Sequence, residues 1–190
     1  MTHRPTLAAC RLLRFVGRVL VFAACVASVR AAPVTREYDL KAVFLYNFAM
    51  FVEWPKEARP PPGKPLVIGI LGRDPFGRVL EDVVAGEVLG GNSLAVRRYT
   101  TPEAAAECHI LYISESETPH LPQILAFLHG KPVLTVADMA HFAESGAIIT
   151  FSTGTRVQLH INKAAAEAAG LNISSKLLRV AIMVEPSSPP

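Results

Sequence analysis

Residues 66–80 read Leu-Val-Ile-Gly-Ile-Leu-Gly-Arg-Asp-Pro-Phe-Gly-Arg-Val-Leu, an apolar run followed by a turn and a second apolar segment. The run Leu66–Leu71 is short and almost wholly apolar, which is typical of a buried strand. Asp74 can cap a helix and Pro75 suits a first helical turn, so a helix is predicted to follow. Strand, turn and helix in this order indicate an α/β fold.

The same alternation continues along the chain. Strand patterns recur at residues 94–99, 109–113 and 132–136. Helix patterns lie between them, starting at Thr101, spanning residues 121–128, and running from a cap at Asp138 to Ala143. This alternation predicts a mainly parallel sheet covered by helices on both faces.

Near the end of the chain, the alternation of strands and helices gives way to two successive strand patterns. Residues 147–151 and 156–161 flank Ser-Thr-Gly-Thr at 152–155, which predicts a C-terminal antiparallel hairpin. Asn162 is expected to cap a helix that reaches Ala169, and Ser174 or Ser175 to cap a last helix over residues 176–183.

A long helix is predicted over residues 37–54, because this segment contains neither Gly nor Pro and Pro55 follows it. Its second half is apolar around nearly the whole circumference, so it is either buried on both sides or packed on a partner. The chain's one Trp lies at its end, and Phe51, Glu53 and Trp54 are therefore candidates for an interface. For Trp54, packing in the core is the favoured interpretation and the interface role is the alternative.

The first 31 residues have the pattern of a secretory signal peptide. A basic start precedes an apolar stretch at residues 15–29, and small residues near Ala31 suit cleavage there or after Ala27. The stretch is short for a spanning helix and contains Arg18. We therefore expect a periplasmic protein with one domain over residues 36–185 and a disordered tail over 186–190. Acylation at Cys25 stays open.

The charge of the chain argues against nucleic acid as a partner. The net charge is +3, but five of the 19 basic residues and none of the 16 acidic ones lie in the first 31 positions. Without that segment, 14 basic residues face 16 acidic ones, which gives −2 and no basic surface for phosphates. Cys108 is then the remaining cysteine, so no internal disulfide is expected.

No catalytic, cofactor or metal motif stands out, and the six histidines lack ligand spacing on any one helix. We therefore expect no enzyme activity and no cofactor. The turn Gly72, Arg73 and Asp74 follows a strand at the sheet edge where α/β folds bind ligands, which makes it a candidate site for a small anion. A purely structural turn is the alternative.

Five segments together resemble the YfiR family, also called DUF4154, over about residues 36–184. They are residues 38–48 with Glu53-Trp-Pro55, residues 70–76, 108–113, 132–136 and 171–178.

The resemblance implies a secreted periplasmic α/β protein without known catalysis. The best-studied type of the family represses a membrane diguanylate cyclase by binding its periplasmic sensor domain, which lowers cyclic di-GMP and biofilm formation. Other members accompany sensor kinases, so a periplasmic small-ligand binding protein acting with a kinase is the alternative. A homodimer is a further candidate assembly. The well-studied type has additional disulfide-bonded cysteines, which this sequence lacks.

Overall fold

A computed structural model describes residues 34–154 and 156–185. The predicted signal peptide (1–31) and disordered tail (186–190) lie outside the described residues and stay predictions, as do the domain limits at 36 and 185. Within the described part of the chain, no helix is both long enough and apolar enough to cross a membrane.

The strands and helices predicted between residues 66 and 136 occur in the predicted order, and the structure adds short elements that were not predicted, among them 3-10 helices at Lys56–Ala58 and Glu115–His120. The helices are α1 (Val34–Phe51), α2 (Val79–Val84), α3 (Pro102–Ala105), α4 (Leu121–Leu128), α5 (Lys163–Ala168) and α6 (Ser175–Leu178). The strands are β1 (Val52–Glu53), β2 (Leu66–Leu71), β3 (Val88–Leu89), β4 (Asn92–Tyr99), β5 (Ile110–Ile113), β6 (Leu134–Ala137), β7 (Ile149–Thr153), β8 (Val157–Ile161), β9 (Asn172–Ile173) and β10 (Ile182–Met183).

Eight of these strands form one sheet in the order β10-β8-β7-β6-β5-β2-β4-β3. Neighbours are parallel except in the pairs β3–β4 and β7–β8. The mainly parallel sheet and the C-terminal hairpin predicted from the sequence are thereby confirmed. Strands β1 and β9 form a separate antiparallel pair.

Both faces of the sheet are covered by helices, as predicted. Successive residues of β2 alternate between the faces, so Ile68 and Ile70 join one core cluster while Val67 and Leu71 join the other. The first cluster includes residues of α1, α2, α5 and α6, and the second includes residues of α3 and α4. The carboxyl ends of β2, β5 and β6 therefore meet at one edge of a sheet buried on both sides, here called the carboxyl edge.

Gly69 marks a close approach within the second cluster. A Cβ at this position would lie 2.9 Å from the ring of Tyr99, 3.0 Å from Sγ of Cys108 and 3.1 Å from Leu111. These distances are shorter than normal carbon contacts, so the packing of β2 here requires glycine.

Helix α1 ends earlier than the sequence predicts. It stops at Phe51 rather than at Trp54, because Val52 and Glu53 leave the helix and pair with Asn172–Ile173 of β9. Pro55 limits the helix, as expected, but the hydrogen bonds offered by a distant strand end it three residues sooner.

The predicted helix from Asp138 to Ala143 is wrong. Residues 139–146 form bends and turns, and His141 adopts a positive φ of 58°. The backbone N–H of Ala143 donates to Oγ1 of Thr150 at 2.7 Å, and the carboxylate of Asp138 binds side chains elsewhere. Side chains thus take the hydrogen bonds that a helix would need.

The predicted last helix over 176–183 is shorter than expected. Helix α6 ends at Leu178, and Ile182–Met183 instead pair in parallel with His160–Ile161 of β8. The open edge of β8 offers backbone partners to this segment, which explains the change from helix to strand.

Candidate functional site

The predicted anion turn lies at the carboxyl edge, directly after β2. Gly72 has a φ of +86°, and a Cβ there would lie 2.5 Å from both Oγ of Ser116 and Oε1 of Glu117. The backbone N–H of Arg73 donates to Oγ of Ser116 at 2.9 Å. The turn after β2 is therefore held tightly against the segment that follows β5.

Asp74 already fills the anion position in this turn. Its carboxylate accepts from the backbone N–H groups of Phe76 at 2.7 Å and Gly77 at 3.2 Å. It also accepts from Nε and Nη2 of Arg98, at 2.8 and 2.6 Å. Asp74 is therefore not the cap of α2, which starts at Val79 after Arg78, and an external anion would meet a turn already neutralised from within.

Arg98 carries the rest of this polar cluster. It pairs with Glu81 of α2 and donates to the carbonyl of Gly77 at 2.9 Å. The hydrogen bond from Arg98 outweighs the opposing effect of burial and lowers the pKa of Glu81. The cluster fixes the turn to α2 and β4, while the side chain of Arg73 remains exposed.

A cavity of about 300 Å³ opens beside the exposed Arg73. Its lining consists of Tyr38, Arg73, Pro75, Tyr112, Ser114, Glu115 and Ser116. The ring of Phe76 packs edge-on against Tyr38 at 5.5 Å and against Tyr112 at 4.8 Å, which holds both tyrosines in the wall. A guanidinium, a carboxylate, hydroxyl groups and aromatic rings thus surround one space at the carboxyl edge.

Behind the two tyrosines lies a polar network that the sequence did not reveal. Oδ2 of Asp138 accepts from Nζ of Lys41 at 2.7 Å and from the hydroxyl of Tyr38 at 2.9 Å, while Oδ1 accepts from the hydroxyl of Tyr112 at 2.7 Å. Lys41 is 1% exposed and also pairs with Glu37 one turn earlier in α1. The network fastens α1 to the ends of β5 and β6.

The electrostatics of this network keep its groups charged or hydrogen-bonded. Burial would raise the pKa of Asp138, but the hydrogen bonds from Lys41 and Tyr112 outweigh it and hold the pKa below its usual value. Burial, together with the neighbouring carboxylate, raises the pKa of Tyr38 to about 12. The hydrogen bond with Lys41 also lowers the pKa of Glu37, and burial raises the pKa of Tyr112. At neutral pH, Asp138 and Glu37 are therefore ionised, and Tyr38 and Tyr112 keep the protons that they donate.

Sequence reasoning missed this network for a specific reason. The available signals were weak: Tyr38 and Lys41 lie in the polar first half of α1, and Asp138 directly follows a buried strand. Their separation by about a hundred positions hid the pairing, and Asp138 has instead the residue type and position of a helix cap.

The predicted interface residues lie at the opposite edge of the sheet, near the start of β2. Trp54 is 5% exposed and packs edge-on against His109 at 5.9 Å, which agrees with the favoured core packing and not with a half-exposed anchor. The turn of the chain after α1 directs this ring into the core. Phe51 is half-buried, and exposed Glu53 accepts from Nδ2 of Asn172 at 3.3 Å. An interface at Phe51 and Glu53 stays a prediction.

Trp54 and Glu53 also line a cavity of about 620 Å³ with Arg59 and the proline loop at 60–62. The indole Nε1 of Trp54 is buried and has no acceptor among the described residues. Arg59 donates from Nε to the carbonyl of Trp54 at 2.9 Å.

Cys108 lies in the core at 3% exposure, and burial raises its pKa to about 12. It is a protonated thiol at neutral pH, which is unsuited to nucleophilic chemistry. Among residues 34–154 and 156–185, no group of three or more His, Cys, Asp or Glu side chains is arranged to hold a metal ion.

These features define an α/β domain with a mainly parallel sheet and a tyrosine-lined polar cavity at its carboxyl edge. The chain belongs to the YfiR/HmsC-like family, DUF4154, whose match covers residues 38–182. The crystal structure of a conserved domain protein from Vibrio cholerae O1 biovar El Tor is similar in fold, with a TM-score of 0.50 and 16% sequence identity. The similarity covers 80% of this chain and 60% of that one. No curated protein matches the chain.

Proposed function

We propose that this protein is a periplasmic regulator that binds and represses the sensor domain of an inner-membrane signalling enzyme, in the first place a diguanylate cyclase. One observation carries the proposal, namely membership of the YfiR/HmsC-like family over nearly all of the described residues. Repression of such an enzyme would lower cyclic di-GMP and biofilm formation.

The two most deeply buried reactive groups of the described residues have structural surroundings. The most buried charged side chain, Lys41, is neutralised by Asp138 and Glu37, and the thiol of Cys108 is protonated. Neither a paired lysine such as Lys41 nor a protonated thiol such as Cys108 is an activated nucleophile.

Deletion of the gene tests the proposal. We expect cellular cyclic di-GMP to rise and biofilm to increase, and both to return to normal when the full chain is supplied on a plasmid. A chain without residues 1–31 should fail to complement, because it would stay in the cytoplasm. Unchanged cyclic di-GMP in the deletion strain would contradict the regulation of a cyclase.

A second candidate function is favoured by the cavity at Arg73. A periplasmic small-ligand binding protein acting with a sensor kinase would use a polar pocket of this size at the carboxyl edge. In that case the deletion changes the output of the kinase pathway and leaves cyclic di-GMP unaltered.

A further inference from the structure

A cavity between α4 and α5 shares no wall residue with the cavities at Arg73 and Trp54. Its volume is about 250 Å³, and it lies beside the first residues of β6. Most of its wall is apolar and comes from the two helices and the neighbouring strands. The apolar wall residues include Leu125, Leu128, Val133, Ile148, Ala165 and Ala168. We call this space the helix cavity.

The helix cavity lies where β6 and β7 are no longer paired. The two strands pair through two residues each, Val136–Ala137 with Ile149–Thr150. One position before this pairing, the N–H of Ile148 donates to the side-chain Oγ1 of Thr135 at 3.0 Å instead of to a backbone carbonyl. Alanines form the side of the cavity that belongs to α5, and their small side chains leave the space toward α4 unfilled.

Two buried side chains in the wall have hydrogen-bond donors to spare. Asn162 is 1% exposed, and its Nδ2 donates to the carbonyl of Ala143 at 2.9 Å, while its second amide hydrogen has no acceptor among the described residues. Thr135 is 5% exposed, and its hydroxyl accepts from Ile148, while its own hydrogen has no acceptor in the described part of the chain. Buried donors without acceptors are costly, so a ligand that offers an acceptor atom is favoured here.

The ionisable side chains in the wall of the helix cavity are both basic. They are His129, which is exposed, and Lys131, which is half-buried. Nζ of Lys131 lies over the ring of Phe127, 4.7 Å from its centre, and forms no ion pair with any described residue. In contrast, the cavity beside Arg73 has the carboxylate of Glu115 in its wall. The helix cavity therefore suits an anion rather than an amine.

We propose that the helix cavity binds a small carboxylate with an apolar body, such as a medium-chain fatty acid. The apolar body packs against the leucines and alanines of α4 and α5. The carboxylate is attracted by the ammonium of Lys131 and can accept from the spare donors of Thr135 or Asn162. A protein cavity of about 150 Å³ holds one benzene molecule, so about 250 Å³ admits a ligand of about ten non-hydrogen atoms, the size of octanoate. This inference goes beyond the proposed function, which concerns a partner protein.

The test titrates the purified protein with octanoate and follows the backbone amide chemical shifts by NMR. Octanoate should bind with a Kd in the millimolar range or below and should shift the amides of residues 128–131 and 164–169 most. Octan-1-ol, which has the chain without the charge, should bind about fivefold more weakly. Acetate, which has the charge without the chain, should bind at least about 100-fold more weakly.

Substitutions in the wall separate the effect of the charge from that of the space. Lys131→Met should weaken octanoate binding about fivefold and leave octan-1-ol binding unchanged. Ala168→Leu and Ala164→Leu, which add bulk at exposed wall positions of α5, should each weaken the binding of both compounds at least about tenfold. Lys176→Met and Ala104→Leu are matched controls, because both residues are exposed and lie outside the wall. Both controls should bind octanoate like the wild type.

All variants should keep the wild-type melting temperature within a few degrees, which excludes unfolding as the cause of weaker binding. Octanoate that binds no better than acetate, or that binds both leucine variants as tightly as the wild type, would overturn the inference. Chemical shifts that change most at Arg73 would overturn it as well, because the ligand would then occupy the carboxyl edge. The test needs no partner protein, so its failure leaves the proposed regulatory function untouched.

Discussion

The backbone N–H of Val67 donates a hydrogen bond to Nδ1 of His109 over 3.1 Å, at the point where β2 and β5 begin side by side. His109 is 9% exposed, and its ring takes the place of a backbone acceptor at the amino edge of the sheet. The bond requires an unprotonated Nδ1, since a protonated nitrogen would face the N–H as a second donor. This hydrogen bond between the starts of β2 and β5 therefore depends on His109 being neutral.

We expect stability to fall as the pH drops below about 6.5. Burial lowers the pKa of His109 and outweighs a hydrogen bond to the carbonyl of Ala58, which would raise it. The folded state therefore binds fewer protons than the unfolded chain, whose histidine titrates near 6.5. Urea unfolding at pH 7.5, 6.5 and 5.5 measures the effect.

The control for this pH dependence is His109→Asn, whose side-chain oxygen can still accept from Val67 but does not titrate. Glu57 and Glu107 line the same cavity as His109. Because both proteins contain them, their effect on the pH dependence of stability cancels in the comparison. Equal slopes of unfolding free energy against pH in the two proteins would contradict a role for His109.

Replacement of Lys41 by Met should destabilise the fold by about 3 to 5 kcal/mol, because Asp138 and Glu37 would lose the cation that neutralises them in a buried site. Lys163→Met is the matched control. Lys163 pairs with Glu167 at 2.7 Å on the surface, with both side chains more than half exposed, so its loss should cost less than about 1 kcal/mol. Similar costs in the two variants would show that the network contributes little.

Gly69→Ala should destabilise the protein by about 1 to 3 kcal/mol, because the added methyl group overlaps Tyr99, Cys108 and Leu111. Gly154→Ala serves as the control, since a Cβ there meets no atom within 4 Å. The measurement is the free energy of unfolding in urea. An unchanged free energy of unfolding in Gly69→Ala would show that the side chains of the second core cluster can move to accept the methyl group.

Trp54→Ala should cost about 3 to 5 kcal/mol, as is usual for a buried Trp. Repression in cells should then fall only as far as the folded fraction falls. Trp54→Phe, which keeps an aromatic ring in the core, should retain most of the repression. A fully stable Trp54→Ala protein that no longer represses would restore the view of Trp54 as a contact residue.

If the cavity beside Arg73 binds small carboxylates, Arg73→Ala should weaken that binding by at least about tenfold, near 1.4 kcal/mol, with little change in unfolding. Arg179→Ala, which removes an exposed guanidinium elsewhere, should leave binding unchanged. Titrations with acetate and citrate followed by NMR chemical shifts measure both variants. Equal affinities in wild type and Arg73→Ala would leave the turn with a structural role.

The strands and their order of alternation could be predicted because each is a local apolar run bounded by turn residues. Asn162 likewise caps its helix as expected, since its Oδ1 accepts from the N–H of Ala165 three residues on. In these cases the signal and its effect lie within a few residues of each other.

Features that depend on distant residues could not be predicted in this way. Trp54 looked like the end of a helix, but its position is decided by pairing of Val52–Glu53 with a strand about 120 residues later. Asp138 looked like a cap, but it neutralises a lysine almost a hundred residues earlier. Both residues act through tertiary contacts, for which a single sequence has no local pattern.

The burial of Trp54 beside His109 gives the protein an internal optical reporter. Because the chain contains one Trp, all of its indole fluorescence comes from this ring. A ring shielded from water emits at shorter wavelength, so exposure on unfolding shifts the emission to the red, while a protonated imidazole at 5.9 Å quenches its intensity. Wavelength therefore follows the global transition, and a change of intensity at constant wavelength reports the protonation of His109 in the folded protein.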